Sequence, residues 1–256
     1  MTKTMLRFAL VLGAVLTPMA DAGARAPAAV MAIDPATILA EVDRRAAVFE
    51  DQSYTAAMEI IKGGQLKKTL TFKAWMKGID RQVIHFTAPG DVAGMKVLLE
   101  SGEADTLYLY LPEFAKVRRV AAHMQNQGFM GSEMQLSDMV VALAPFYDAK
   151  LKGTEGAKTI LELTPKAGKE TAYPKIELTI DGTKGGVTKL LYFDASGAQV
   201  RQQLRDEWIK VDGKLMPTKI SMLNVKTGDV TVIKLSDIQV NQGLGDDIFS
   251  RRALLR

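Results

Sequence analysis

The sequence is 256 residues long, enough for one domain with a sizeable core or two small ones. It is 47% hydrophobic and 24% charged, which excludes extended disorder, and its formal net charge of +4 is too small to argue by itself for nucleic acid. The absence of cysteine excludes disulfides, thiolate metal sites, iron–sulfur clusters and cysteine nucleophiles, and two histidines do not make a multi-histidine metal centre.

Lys3 and Arg7 form a basic start, Phe8 to Leu16 is an apolar run too short to span a bilayer comfortably, and Ala20-Asp21-Ala22 is a small-x-small cleavage pattern after Pro18. This layout predicts a secretory signal peptide over residues 1–22, a flexible mature N-terminus over 23–33 and a single domain over 34–256. No cysteine follows the apolar run, so the mature N-terminus is not expected to be lipidated. No later segment is apolar for the roughly eighteen residues that a membrane span needs. The expected location is a bacterial periplasm.

Asp34-Pro35 supplies an N-cap and a first-turn proline. Ile38, Leu39, Val42, Ala46 and Val48/Phe49 then recur at helical spacing, which predicts an amphipathic helix over about 35–50 with Glu41, Asp43, Arg44 and Arg45 on its wet face. After that the period becomes two. Leu70, Phe72, Ala74 and Met76 share one strand face, and Thr69, Thr71, Lys73 and Trp75 the other. Ile84 and Phe86 alternate with Val83 and His85, and Leu107, Leu109 and Leu111 with Tyr108 and Tyr110. Further strands are predicted at 160–163, 176–180, 187–193, 200–211, 215–223 and 230–235, separated by turn signals of which Asp212-Gly213 is the strongest. Roughly ten strands at regular spacing imply an antiparallel sheet or open barrel. From His123 to about Pro145 the alternation fails, and Ser137-Asp138 suggests the cap of a short helix carrying Met139, Val140 and Leu143.

The chain offers few parts for catalysis. His85 sits in a strand pattern and His123 at the insertion, far apart and without a Glu-x-x-His context, and both read as structural. No serine lies in Gly-x-Ser-x-Gly. Gly153 to Thr159 lacks the glycine before Lys158 that a phosphate loop needs and leads into a strand, so it reads as a hairpin turn. Glu100, Glu103, Asp105 and Glu133 are available as carboxylates, with nothing around them to raise a pKa. Phe114-Ala-Lys116-Val-Arg118-Arg119 is the one dense basic cluster, and in a strand its two arginines point to opposite faces.

Tyr110-Leu-Pro112, Lys116-Val-Arg118-Arg119-Val120, Gln127-Gly128-Phe129-Met130-Gly131-Ser132 and Ser137-Asp138 resemble the outer-membrane lipoprotein-sorting (LolA-like) family. So do Glu207-Trp208 with Gly213 to Pro217, and Asp247 to Leu254 at the end. The resemblance spans about 35–254 and is to the broader periplasmic set, not to the classical lipoprotein chaperone. It implies a mainly β (α+β) fold: a curved, unclosed antiparallel β half-barrel, here of about ten or eleven strands, with the N-terminal helix and the mid-chain insertion closing its concave side. It also implies a hydrophobic cavity that takes acyl chains of lipid or lipoprotein, with no catalysis and no cofactor or metal.

On that resemblance the cavity and gate residues are Phe72, Trp75, Leu109, Phe129, Met130, Met134, Met139 and Leu143, with Arg118 and Arg119 at a polar mouth. Four of the thirteen methionines (Met124, Met130, Met134, Met139) fall in the insertion, and methionine adapts to variable partners. Sequestering a dozen methylenes at about 0.8 kcal/mol each would give on the order of 10 kcal/mol before costs. A shallow cavity and hand-off to a better binder are therefore expected. Export proteins of the resistance-nodulation-division type are a partner suggested by the family, together with peripheral membrane contact and no nucleic acid. Two other readings stay open: a same-fold scaffold or sensor that docks an inner-membrane protein, and an envelope hydrolase with a hidden carboxylate pair.

Overall fold

A computed structural model describes residues 34–100, 106–121, 128–139 and 142–256. The expected signal peptide and mature N-terminus lie outside these residues, as do Glu103, Asp105, His123, Met124 and Val140.

Helix α1 runs over Pro35–Ala46, with the Asp34 carboxylate accepting the Thr37 backbone N–H at 3.3 Å and Pro35 in the first turn. Leu39 and Val42 are its buried stripe. The helix stops at Ala46, so Phe49 is buried from the connection that follows it and not from the helix. Asp43 corrects the expected wet face. It is buried, and its carboxylate accepts the N–H groups of Leu143 at 2.9 Å and Ala144 at 2.8 Å, so an acid that pattern placed in water holds the far end of the insertion instead.

Among the described residues thirteen strands follow: β1 Asp51–Lys62, β2 Gln65–Lys77, β3 Arg81–Ala88, β4 Lys96–Glu100, β5 Thr106–Leu111, β6 Lys116–Arg119, β7 Tyr147–Glu155, β8 Lys158–Pro165, β9 Lys175–Asp181, β10 Gly186–Phe193, β11 Gln199–Val211, β12 Lys214–Asn224 and β13 Val230–Val240. They form one unclosed antiparallel sheet in the order β6-β5-β4-β3-β2-β1-β13-β12-β11-β10-β9-β8-β7. The count exceeds the ten or eleven expected because β1, β4 and β7 do not alternate clearly. In β4, Val97, Leu98 and Leu99 are all buried, which happens when both faces of a strand are covered. Strand β7 is a polar edge, largely exposed after Tyr147. The hairpins fall where the turn signals put them. Asp212 (φ 45°) and Gly213 (φ 77°) join β11 to β12 in a two-residue turn with both φ positive, and Glu155 pairs with Lys158 across the turn that brushed the phosphate-loop pattern.

This order has one consequence for the rest of the molecule. Strands β6 and β7 are consecutive in the chain yet lie at opposite edges of the sheet. Twelve steps of about 4.8 Å would separate those edges by roughly 58 Å if the sheet were flat. The described residues of the link from 120 to 146 pack across one face of the sheet, here called the inner face. Ala56, Met58, Leu70, Phe72 and Phe86 form one buried cluster there, and Leu161, Leu163, Leu178, Leu190 and Met222 form a second one beneath α1.

The outer face of β3–β5 is covered by the C-terminal segment, whose Phe249 and Leu254 pack on Val83 and Leu98. Its anchor is Asp51, which is 3% exposed and accepts the backbone N–H groups of Gln242 and Leu244, each at 2.8 Å. Lys77 and Arg81 add ion pairs to Asp246 at 2.6 and 2.9 Å. Burial works to raise the Asp51 pKa, but the Leu244, Gln242 and Gly243 N–H groups and the Lys77 charge outweigh it and hold the carboxyl below its usual range. A depressed carboxyl contributes stability that is present above its unfolded value, about 3.9, and is lost as pH falls through the folded value. Asp51→Asn is expected to cost on the order of 1.5–3 kcal/mol at neutral pH. Urea midpoints of wild type and variant should differ by a constant amount between about pH 5 and 7 and converge at more acid pH.

Candidate functional site

The insertion crosses the inner face as a tight loop followed by a single turn. Gly128 bridges Gln135, the Phe129 N–H donates to the Met134 carbonyl at 2.7 Å, and the Ser132 hydroxyl donates to the Phe129 carbonyl at 2.6 Å. A Cβ on Gly128 would lie 2.6 Å from the Ser132 carbonyl oxygen, and Met130 and Gly131 both have positive φ. The Gly-Phe-Met-Gly-Ser string is thus a loop closed on its own backbone, and only glycine fits its first position. The 3-10 turn Leu136–Met139 follows. Ser137 and Asp138 lie inside this turn and do not cap it; Asp138 instead accepts the Gln135 N–H at 2.7 Å.

The underside of this cover is apolar. The Phe129 ring lies 5.4 Å from that of Phe86, which lies 5.3 Å from that of Phe72. Leu136 is buried in the same cluster, with Met134, Met139 and Leu109 packed against it. The structure thus brings Phe72, Leu109, Phe129, Met134 and Met139 together. Leu143 joins the second cluster beneath α1, and Met134 touches both. Met130 is turned outward and exposed on the cover. Trp75 does not belong with Phe72. The period of two puts it on the outer face, with Tyr108, Tyr110 and Leu254. Arg118 pairs in register with Leu109 and Arg119 with Tyr108, so these two exposed arginines stand on opposite faces of edge strand β6.

The cover is also pinned by polar contacts, centred on Arg201 of β11. Its Nη2 donates to Asp138 Oδ2 at 2.6 Å and to the Glu133 carbonyl at 2.5 Å, and its Nη1 to the Tyr173 hydroxyl at 2.7 Å. The guanidinium also lies over the rings of Tyr173 and Tyr192, with its carbon 5.7 and 5.4 Å from their centroids. Both ion-pair side chains are 6% exposed. Burial disfavours the charged guanidinium, but the Asp138 carboxylate and the Tyr173 hydroxyl outweigh it and hold the Arg201 pKa above its ordinary value. Further attachments come from Thr231 on β13, whose hydroxyl accepts the Glu133 N–H at 2.8 Å, and from Asn224 on β12, which donates to the Glu133 carboxylate at 3.0 Å.

Sequence reasoning missed this pin. Arg201, Gln203 and Arg205 alternate with Val200, Gln202 and Leu204, which reads as a polar, solvated strand face. Arg201 and Gln203 are in fact buried. Of the carboxylates considered for catalysis, Glu133 is part of the cover's attachment and Glu100 faces Arg81 across β3 and β4. His85 lies on the outer face beside Lys96, and its pKa is lowered by burial and by the Lys96 and Lys73 charges. Among the described residues no three His, Cys, Asp or Glu side chains come together as a metal site. No helix among them is long and apolar enough to cross a membrane.

The family model that matches, over residues 78–256, is a "-like" family described as "Uncharacterized protein". No curated protein matches the sequence. Among solved structures, a DUF1329 family protein from Desulfovibrio piger is 28% identical, with 86% of this chain and 99% of that one covered and a TM-score of 0.78. A domain provisionally described as an outer membrane lipoprotein-sorting protein, from Vibrio parahaemolyticus, is 26% identical, with 86% and 100% covered and a TM-score of 0.75. The chain belongs to the family whose model it matches over residues 78–256, and its fold is LolA-like. A LolA superfamily protein from Nitrosomonas europaea, 20% identical with 87% and 100% covered and a TM-score of 0.71, has the same fold. In this protein the Gly128–Ser132 string is thus the loop that seats an aromatic side chain on the inner face.

The Arg201–Asp138 pair generates a prediction. Removing one partner of a buried ion pair leaves an uncompensated charge and costs about 3–5 kcal/mol, whereas removing both costs much less. Asp138→Ala is expected to lose that much in urea unfolding. Asp138→Ala combined with Arg201→Met should recover most of it, and the coupling is read from the double-mutant cycle.

Proposed function

We propose that this protein is a non-catalytic periplasmic carrier that binds the acyl chains of a lipid or lipoprotein on its inner face and hands them on. The observation that carries this reading is the seat of the cover: Phe129, Met134, Leu136 and Met139 lie on the aromatic inner face as an acyl chain would. The Vibrio relative's description as a lipoprotein-sorting domain and the signal-like layout of residues 1–22 support the same reading.

The mechanism is an exchange. An acyl chain reaching Phe72 and Phe86 displaces the cover's apolar side chains, so one set of hydrophobic contacts replaces another. At about 0.8 kcal/mol per methylene, a chain held alone would be gripped too tightly for release. Competition with the cover lowers the net affinity and lets a better-binding acceptor take the cargo. The polar pin fixes the closed position. A chain that enters must break or bypass the Arg201–Asp138 contact, which adds a threshold to uptake. Arg118, on the same face as Leu109 at the open edge, stands where a phosphate or peptide carbonyl of the cargo would lie.

Native mass spectrometry of protein purified gently from the periplasm is expected to show a bound mass that disappears on organic extraction. Asp138→Asn, with its pin weakened, should load a fluorescent fatty acid faster than wild type. A clean ligand-free mass, together with no uptake from lipid vesicles by either protein, would overturn the carrier reading in favour of a same-fold protein-docking module.

A further inference from the structure

The segments Pro112–Arg119 and 251–256 lie far apart in sequence and meet on the outer side of the sheet's edge. There they line a cavity of about 480 Å³ with Val117, Arg119, Arg251, Arg252 and Leu255, floored by Tyr108. The two segments carry six cations (Lys116, Arg118, Arg119, Arg251, Arg252 and Arg256) and one acid, Glu113, and all seven are exposed. None of the ion pairs among the described residues involves any of the six. Lys77 and Arg81, nearby on the same outer face, are paired with Asp246.

Two large apolar side chains stand among these charges. Phe114, in the turn where Ala115 adopts φ 47°, is 52% exposed at the rim of the same edge, with the Arg118 guanidinium 6.0 Å from its ring centroid. Leu255 is 57% exposed, although Leu254 beside it is 1% exposed and pins the same turn to the sheet. A solvated basic face explains the arginines but not the exposed phenylalanine and leucine. A nucleic acid would satisfy the charges and leave Leu255 without a partner. An anionic bilayer offers phosphates at the surface and apolar chains just beneath, which matches both halves of the patch.

We infer that the edge formed by β6 and the C-terminal turn is a membrane-docking surface for anionic phospholipid. Arg119, Arg251 and Arg252 take headgroup phosphates around the cavity, and Leu255 enters the interface. The inference does not rest on acyl binding at the inner face, because it concerns other residues and is read on vesicles and not on bound lipid.

The test is co-sedimentation with vesicles of phosphatidylcholine alone or mixed with phosphatidylglycerol. Wild type is expected on the anionic vesicles only, and to be released in about 1 M salt, where the Debye length falls to roughly 3 Å. Arg119→Gln, Arg251→Gln and Arg252→Gln together should weaken partitioning by roughly a hundredfold. Leu255→Ser should weaken it by about tenfold. Lys184→Gln, Lys210→Gln and Lys226→Gln together, a charge-matched change of exposed lysines elsewhere, should leave it intact. All these positions are exposed, and thermal melts verify that each variant folds. Equal loss in the lysine control, or equal binding to neutral vesicles, overturns the proposal. Wild type that ignores both vesicles but binds inorganic phosphate or an acidic polypeptide assigns the patch to those ligands and overturns it too.

Discussion

Strand β1 pairs with β13 in the middle of the sheet, and this pairing decides where everything else must go. It turns two meanders into one sheet and sends the consecutive strands β6 and β7 to its two edges. The described part of the link between them packs across one face. A cover over the inner face is therefore a consequence of topology, and the chain needs no separate domain to make one. What the residues of that link then specify is how firmly it sits.

The cover is held by two kinds of contact with different physical characters. Phe129, Met134, Leu136 and Met139 give non-directional apolar burial, which another apolar body can replace at little net cost. Arg201 with Asp138, Tyr173 and the Glu133 carbonyl gives a directional contact. Such a buried pair adds little to stability compared with an apolar replacement, but it penalises every arrangement in which the two charges are apart. The first kind of contact makes the cover exchangeable, and the second gives it a defined closed position. Asp43 clamps the other end of the link through Leu143 and Ala144, with burial raising its pKa and the two N–H groups opposing the rise.

The two faces of the sheet are closed by different means. The inner face carries the cover and α1, and the outer face of β3–β5 carries the C-terminal segment anchored at Asp51 and Asp246. Strands covered on both sides lose the alternation that identifies a strand, and β4 was unreadable for that reason. Alternation along β2 puts Trp75 on the face opposite Phe72, and the C-terminal segment covers that face, so its hydrophobicity serves the outer cluster and not a cavity wall.

The sequence by itself determined the class of fold, the hairpins, the helix start at Asp34-Pro35 and the site of the insertion, because period-two alternation, turn residues and caps are local and need no partner to be legible. It also separated Arg118 from Arg119, since strand geometry places neighbours on opposite faces. The family resemblance added the half-barrel and the cover, and five of the eight cavity and gate residues named on it meet in one cluster. Tertiary structure alone decided the β1–β13 pairing, the inward turn of Asp43 and the burial of Arg201. A polar side chain at a strand or helix position reads as solvated unless something covers it, and what covers these comes from residues roughly 60 to 100 positions away in the chain.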